Sequence, residues 1–146
     1  MKISGSDKSL YAIIDANINR AKEGLRVAED IARFIFSDKP LSSRLKSIRH
    51  AVDRSASKIY PDYVSLLKNR DSSKDVGRKI KNKGEFQRAG LKDILISNFK
   101  RAEESLRVLE EMSKIRDVSR AREFKELRYR TYEAEKTAVL LYEKKS

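Results

Sequence analysis

Cysteine is absent from this 146-residue chain, so neither disulfide cross-links nor thiolate chemistry is available to it. A single histidine, His50, rules out the usual multi-histidine zinc sites. Only 5 glycines and 2 prolines interrupt the chain, too little punctuation for a many-turned β architecture. No apolar run approaches the roughly 18 residues that a membrane span needs. Met1-Lys2-Ile3-Ser4-Gly5 lacks the apolar core of a signal peptide. The expectation is a cytoplasmic protein without membrane contact. Also missing are the G-x-x-x-x-G-K-[ST] phosphate loop, the G-x-G-x-x-G fingerprint, and the zinc-finger, basic-zipper and RNA-binding aromatic signatures. A nucleotide-using enzyme built on this chain must therefore hold phosphates with arginine side chains and loop amides.

What is present is helix-forming: Leu, Ala, Glu, Lys and Arg fill the long stretches. Apolar spacing predicts a first helix from Lys8 to about Phe36. Its stripe is Ile14, Ile18, Ala21, Leu25, Ala28 and Ala32, widened by Ile31 and Ile35. Ser37-Asp38-Lys39-Pro40 stops that helix and starts the next, with Pro40 suited to a first turn. Leu41, Leu45, Ile48, Val52 and Ile59 form the second seam, which Pro61 ends, and Tyr63 to Lys68 make a short helix. A polar, turn-rich loop runs from Asn69 to Gly84. Helical spacing resumes from Glu85 to Ile115, and Asp117 to Ser119 cap a last helix reaching about Tyr142.

The chain also repeats itself. Asn17-Ile18-Asn19-Arg20-Ala21-Lys22-Glu23-Gly24-Leu25-Arg26-Val27-Ala28-Glu29-Asp30 returns 81 residues later as Asn98-Phe99-Lys100-Arg101-Ala102-Glu103-Glu104-Ser105-Leu106-Arg107-Val108-Leu109-Glu110-Glu111. Leu45, Ile48 and Arg49 likewise match Phe124, Leu127 and Arg128. The expected fold is an all-α helical bundle of two repeated hairpins, with a short helix and polar loop inserted. The repeat halves are about 9–59 and 85–142, the insertion about 60–84, and the whole of 1–146 forms one domain around a pseudo-two-fold axis. Broad apolar arcs leave room for helix faces to pair between subunits.

Certain residues break the apolar pattern, and they do so twice. At about 100° per residue, Asn17 and Arg20 fall inside the apolar arc, as do Asn98 and Arg101. An arginine buried among Val, Ile and Leu is costly unless paired. Arg49 and Arg128 lie beside the partner-helix seams. Two readings follow: an anion site, or structural networks in which Glu23 and Glu104 neutralise Arg20 and Arg101 from three residues away. Arg26 and Arg107 lie toward the polar faces, among Glu23, Asp30, Glu104 and Glu111, and read as flanking ion pairs. In the polar loop, Arg70 offers a fork to phosphate oxygens, and Asp71 and Asp75 are carboxylates able to hold Mg²⁺. Gly77 permits close backbone approach. A solvated turn accounts for the same residues. His50 follows Arg49 and faces away from the seam, which reads as a partly exposed structural histidine that stays within reach of a bound anion.

The net charge of +12, from 34 basic and 22 acidic residues, favours anionic partners without choosing among them. The motifs narrow the choice. Asp15 to Asp30, Leu45 to His50, Arg70-Asp71 with Asp75-Val76-Gly77, Asn98 to Glu111, and Leu127 to Lys136 resemble the small helical hydroxymethylpyrimidine phosphate kinases of thiamin biosynthesis. That family occurs alone or fused ahead of thiamin phosphate synthase, and the resemblance implies the standalone form. It also implies ATP and Mg²⁺, a phosphorylated small-molecule substrate, and formation of the pyrimidine diphosphate. The positions are carried over by motif and their roles are read from residue chemistry: Arg20, Arg49, Arg101 and Arg128 are the expected phosphate-handling residues. Asn17, Glu23, His50, Arg70, Asn98 and Glu104 are the expected substrate and ATP contacts, and Asp71 and Asp75 the metal ligands. A helical module binding RNA or another polyanion, or a different small-anion enzyme, stays open on charge and fold alone.

Overall fold

A computed structural model describes residues 6–60, 62–80 and 88–146, with side chains from Lys8 onward, and every regular element among them is helical. Helix α1 spans Ser6–Asp30, α2 Lys39–Ala56, α3 Tyr63–Lys68, α4 Leu91–Arg116 and α5 Val118–Lys145. The expected stripes are inside. Ile14, Ala21, Leu25 and Ala32 of the first helix and Leu41, Leu45, Ile48 and Val52 of the second are almost completely buried.

The end of the first helix departs from the spacing. Ile31–Ile35 form a π-helical turn in which the Phe36 amide donates to the Ile31 carbonyl, five residues back. The extra residue in that turn shifts the register. Phe36 is buried, whereas Ile35, expected in the stripe, is 56% exposed and Phe34 is exposed beside it. Ser37 then takes a left-handed conformation, and the Asp38 carboxylate accepts from the Leu41 amide at 2.9 Å to start α2 with Pro40 in its first turn. Asp117 closes the second hairpin in the same way, accepting from the Ser119 amide at 2.9 Å. Helix α4 begins later than its spacing suggests. Of the expected start, 85–87 lie outside the described residues, and 88–90 are not helical.

Helices α1 and α4, the repeat mates, pack against each other, α2 packs on α1, α5 on α4, and α2 against α5. The bundle is thus two hairpins face to face. Tyr11 near the start of α1 meets Arg116 at the end of α4, so the two inner helices run antiparallel. They cross closely. A Cβ on Gly24 would stand 2.6 Å from the Asn98 carbonyl oxygen and 3.4 Å from the Ala102 side chain. Ala21 and Ala102, both fully buried, keep that crossing narrow.

Candidate functional site

A narrow crossing has no room for a guanidinium, and this decides where the duplicated arginines go. Arg20 and Arg101 are exposed at the flank of the α1–α4 seam, not buried in it as the arc placed them. Neither forms an ion pair among the described residues, and Glu23 and Glu104 do not neutralise them. Arg20 makes one long hydrogen bond, from Nη1 to Asn17 Oδ1 at 3.5 Å. Asn17 is buried and donates its Nδ2 to the Ile13 carbonyl at 2.9 Å, and Asn98 repeats this with Ile94 at 2.8 Å. The back-bond leaves the Asn17 oxygen directed to Arg20.

Two clefts meet at these residues. The smaller, about 310 Å³, is lined by Asn17 and Arg20 of α1 and by Arg101, Glu104, Ser105 and Val108 of α4. The larger, about 750 Å³, lies between the first half of α1 and the loop after α3, and is also lined by Asn17 and Arg20. Sharing those two side chains, the clefts form one groove. Arg70, Asp71, Lys74 and Asp75 line its loop side.

The loop is anchored by a contact the sequence reading did not contain. Arg70 donates through Nε and Nη2 to the two carboxylate oxygens of Asp15, at 2.7 and 2.6 Å. Asp15 is buried, and the pairing holds the Arg70 guanidinium protonated even more firmly than usual. Asp71 accepts from the Ser73 hydroxyl at 2.8 Å and the Lys74 amide at 3.2 Å, and Asp75 accepts from the Gly77 amide at 2.8 Å. Among the described residues no three acidic or histidine side chains gather as a metal site. Two exposed carboxylates on one loop nevertheless suit Mg²⁺, which commonly takes one or two carboxylates and completes its shell with water and substrate phosphates.

The ThiD2 family matches residues 12–137. The chain belongs to the ThiD2 family. It is similar to the thiamine-phosphate synthase of Synechocystis sp., 38% identical over 131 residues that cover 89% of this chain and 36% of that protein. The thiamine-phosphate synthase of Rhodopirellula baltica is 36% identical over 129 residues, 88% of this chain and 34% of that protein. The chain therefore spans about a third of the length of these curated relatives. No solved structure matches it.

Not every expected residue of this ThiD2 chain reaches the groove. Arg49 donates Nε and Nη2 to Glu29 at 3.0 and 3.3 Å. Arg128 donates Nε and Nη2 to Glu110 at 3.1 and 3.0 Å, and Nη1 to the Tyr132 hydroxyl. Each pair clamps the two helices of its own hairpin, so two of the four arginines expected at phosphate are neutralised inside the scaffold. Glu29 and Glu110, the real partners, recur at the same 81-residue spacing as the residues chosen from sequence. That recurrence was the available signal. Arg26 and Arg107 add the flanking pairs expected of them, to Glu29 and Asp30 and to Glu110 and Glu111. His50 is exposed on α2, and Glu23, His50 and Asn98 do not line the groove.

A last cluster lies on the neighbouring face of α4. Lys100 Nζ donates to Glu103 and Glu135, at 3.2 Å each. Burial and the adjacent Glu135 push the Glu103 carboxyl up to about 8.

Proposed function

We propose that this chain is an ATP-dependent hydroxymethylpyrimidine phosphate kinase of thiamin biosynthesis. One observation carries the reading. Two repeat-related arginines, Arg20 and Arg101, converge on one groove without a carboxylate partner among the described residues, beside a loop that presents Asp71 and Asp75. The name of the similar proteins, thiamine-phosphate synthase, supports the pathway. The resemblance of the motifs supports the reaction.

The chemistry suits the residues. A phosphate monoester has a second pKa of about 6 and is mostly dianionic at neutral pH. Its oxygen needs no general base to attack a γ-phosphoryl group. The obstacle is bringing two polyanions into line, so positioning and charge neutralisation dominate. Arg20 and Arg101 supply forked donors and fixed positive charge where the phosphates meet, and the Asn17 oxygen steadies Arg20. Asp71 and Asp75 would hold Mg²⁺, which neutralises nucleotide phosphate charge when bound. Lys74 adds a further cation on the loop side. Arg70, expected at the ATP phosphates, acts through its grip on Asp15. Glu104 also lines the arginine cleft, and its charge opposes an anion placed against it. An uncharged alcohol would leave Arg20 and Arg101 without a counter-charge and would itself need deprotonation.

The test is ADP release from ATP and Mg²⁺, with hydroxymethylpyrimidine phosphate and the free alcohol as parallel acceptors. Turnover on the phosphate alone is expected. Absence of turnover on both rejects the kinase.

A further inference from the structure

We propose that Asp15 is the positioning residue that ties the carboxylate loop to one half of the duplicated groove, and so gives the chain one phosphate-transfer site and not two. The repeat supplies the first reason. Arg20 and Arg101 are repeat mates on antiparallel helices, so the duplication alone would build equivalent half-grooves, one toward Asn17 and one toward Asn98. Among the described residues, the Asn17 half forms the large cleft with the loop and the Asn98 half does not line it.

Asp15 is where the repeat breaks, because Ile96 occupies the matching position of α4. The Asp15 carboxylate is 8% exposed and receives the Arg70 fork at 2.6 and 2.7 Å. A charge-assisted fork fixes direction as well as distance. Arg70 directly precedes Asp71, so the fork sets where Asp71, and four residues on Asp75, face α1. A second polar residue, Asn19, donates to Asp15 Oδ1 at 3.4 Å, and its repeat mate is Lys100. Ile96 offers no acceptor, so α4 lacks a carboxylate at the position where α1 holds the arginine-led loop. Neutralising a buried aspartate with an arginine from 55 residues away is a costly arrangement for a solvated turn. It makes sense where the loop must stand at a set distance from Arg20.

Asp15→Asn keeps the shape and removes the charge. Hydrogen exchange over amides 70–77 should accelerate in this variant while the melting temperature of the bundle stays near wild type. Its KM for Mg²⁺-ATP should rise by about 10²-fold with a much smaller change in kcat, the size expected of a misplaced binding group. The double variant with Asp15→Arg and Arg70→Asp should recover part of that loss. The catalytic arm rests on the kinase reading. If the wild type releases no ADP, that reading fails, and the exchange arm alone decides the anchoring. Unchanged exchange over 70–77 overturns the inference. So does faster exchange with an unchanged KM in an active enzyme, because the loop would then be anchored without positioning anything. Should Asp15→Asn fail to fold, Asp15→Ile with Arg70→Met removes both charges together and is read in the same two ways.

Discussion

The α1–α2 hairpin and the α4–α5 hairpin share an ion pair, Arg49 with Glu29 in one and Arg128 with Glu110 in the other, and an asparagine bonded back to its own helix. Two of the positions at which they differ change the charge they present. Asp15 of the first faces the inserted loop where the second carries Ile96, and Lys22 of the first, paired with Asp53, corresponds to the buried Glu103 of the second. What the halves share holds each hairpin together or, in Arg20 and Arg101, stands between them. These two differences lie beside the groove and on the adjoining face of α4. A duplicated scaffold becomes a site for two different ligands only by breaking its symmetry, and here the break is a loop and the carboxylate that holds it.

The sharpest attack on that comparison is to remove the shared arginines one at a time. Arg20→Ala and Arg101→Ala should each lower turnover by about 10³-fold, the cost of deleting a preorganised donor to developing charge. Because both side chains are exposed, melting temperatures should hold, and circular dichroism should stay helical. A loss at Arg20 alone would mean that the axis does not serve one ligand from both sides.

Next comes the clamp. Arg49→Ala and Arg128→Ala each leave a buried glutamate with only its half-exposed flanking arginine, Arg26 or Arg107, and should destabilise the fold by about 2 kcal/mol in denaturant unfolding. Comparable losses in the two hairpins would confirm the pair as scaffold. A large loss of activity at full stability would instead return Arg49 or Arg128 to the chemistry.

The smallest effect separates Glu103 from its mate. Its carboxyl titrates near 8 when folded, against an ordinary 4.5, so between those values the folded chain keeps a proton that the unfolded chain has released. Stability from this group is complete below about 4.5 and declines as pH rises toward 8. Thermal melts of wild type from pH 5 to pH 8.5 should show that decline, and Glu103→Gln should flatten it. Lys22→Gln, which leaves Glu103 in place, should keep that decline.

Much of this protein could be read from its residues because periodicity and duplication are properties of one helix at a time. The buried stripe from Ile14 to Ala32, the seam from Leu41 to Val52, the helix capped by Asp117 and the repeat from Asn17 to Asp30 needed only spacing, and each is found in the fold. A helical arc, however, says which side of a helix a residue occupies and not how near the facing helix comes. That distance is set by Gly24 lying against Asn98 and Ala102, and it turns Arg20 and Arg101 outward. The π turn at Ile31 is likewise invisible to a fixed 3.6-residue period, so Ile35 was assigned to the core in place of Phe36.

Partner choice among charges was the other thing that only three dimensions settled. Sequence alone determined that this chain is an all-helical duplication, rich in arginine at repeated places, with a polar loop between its halves. The tertiary structure decided which of these arginines pair with carboxylates and which, Arg20 and Arg101, have no ion pair among the described residues. Arg49 finds Glu29 from 20 residues away, Arg128 finds Glu110 from 18, and Arg70 finds Asp15 from 55. Such pairings depend on the packing of separate helices and on the desolvation that makes a buried carboxylate demand a partner, and neither is written in local spacing.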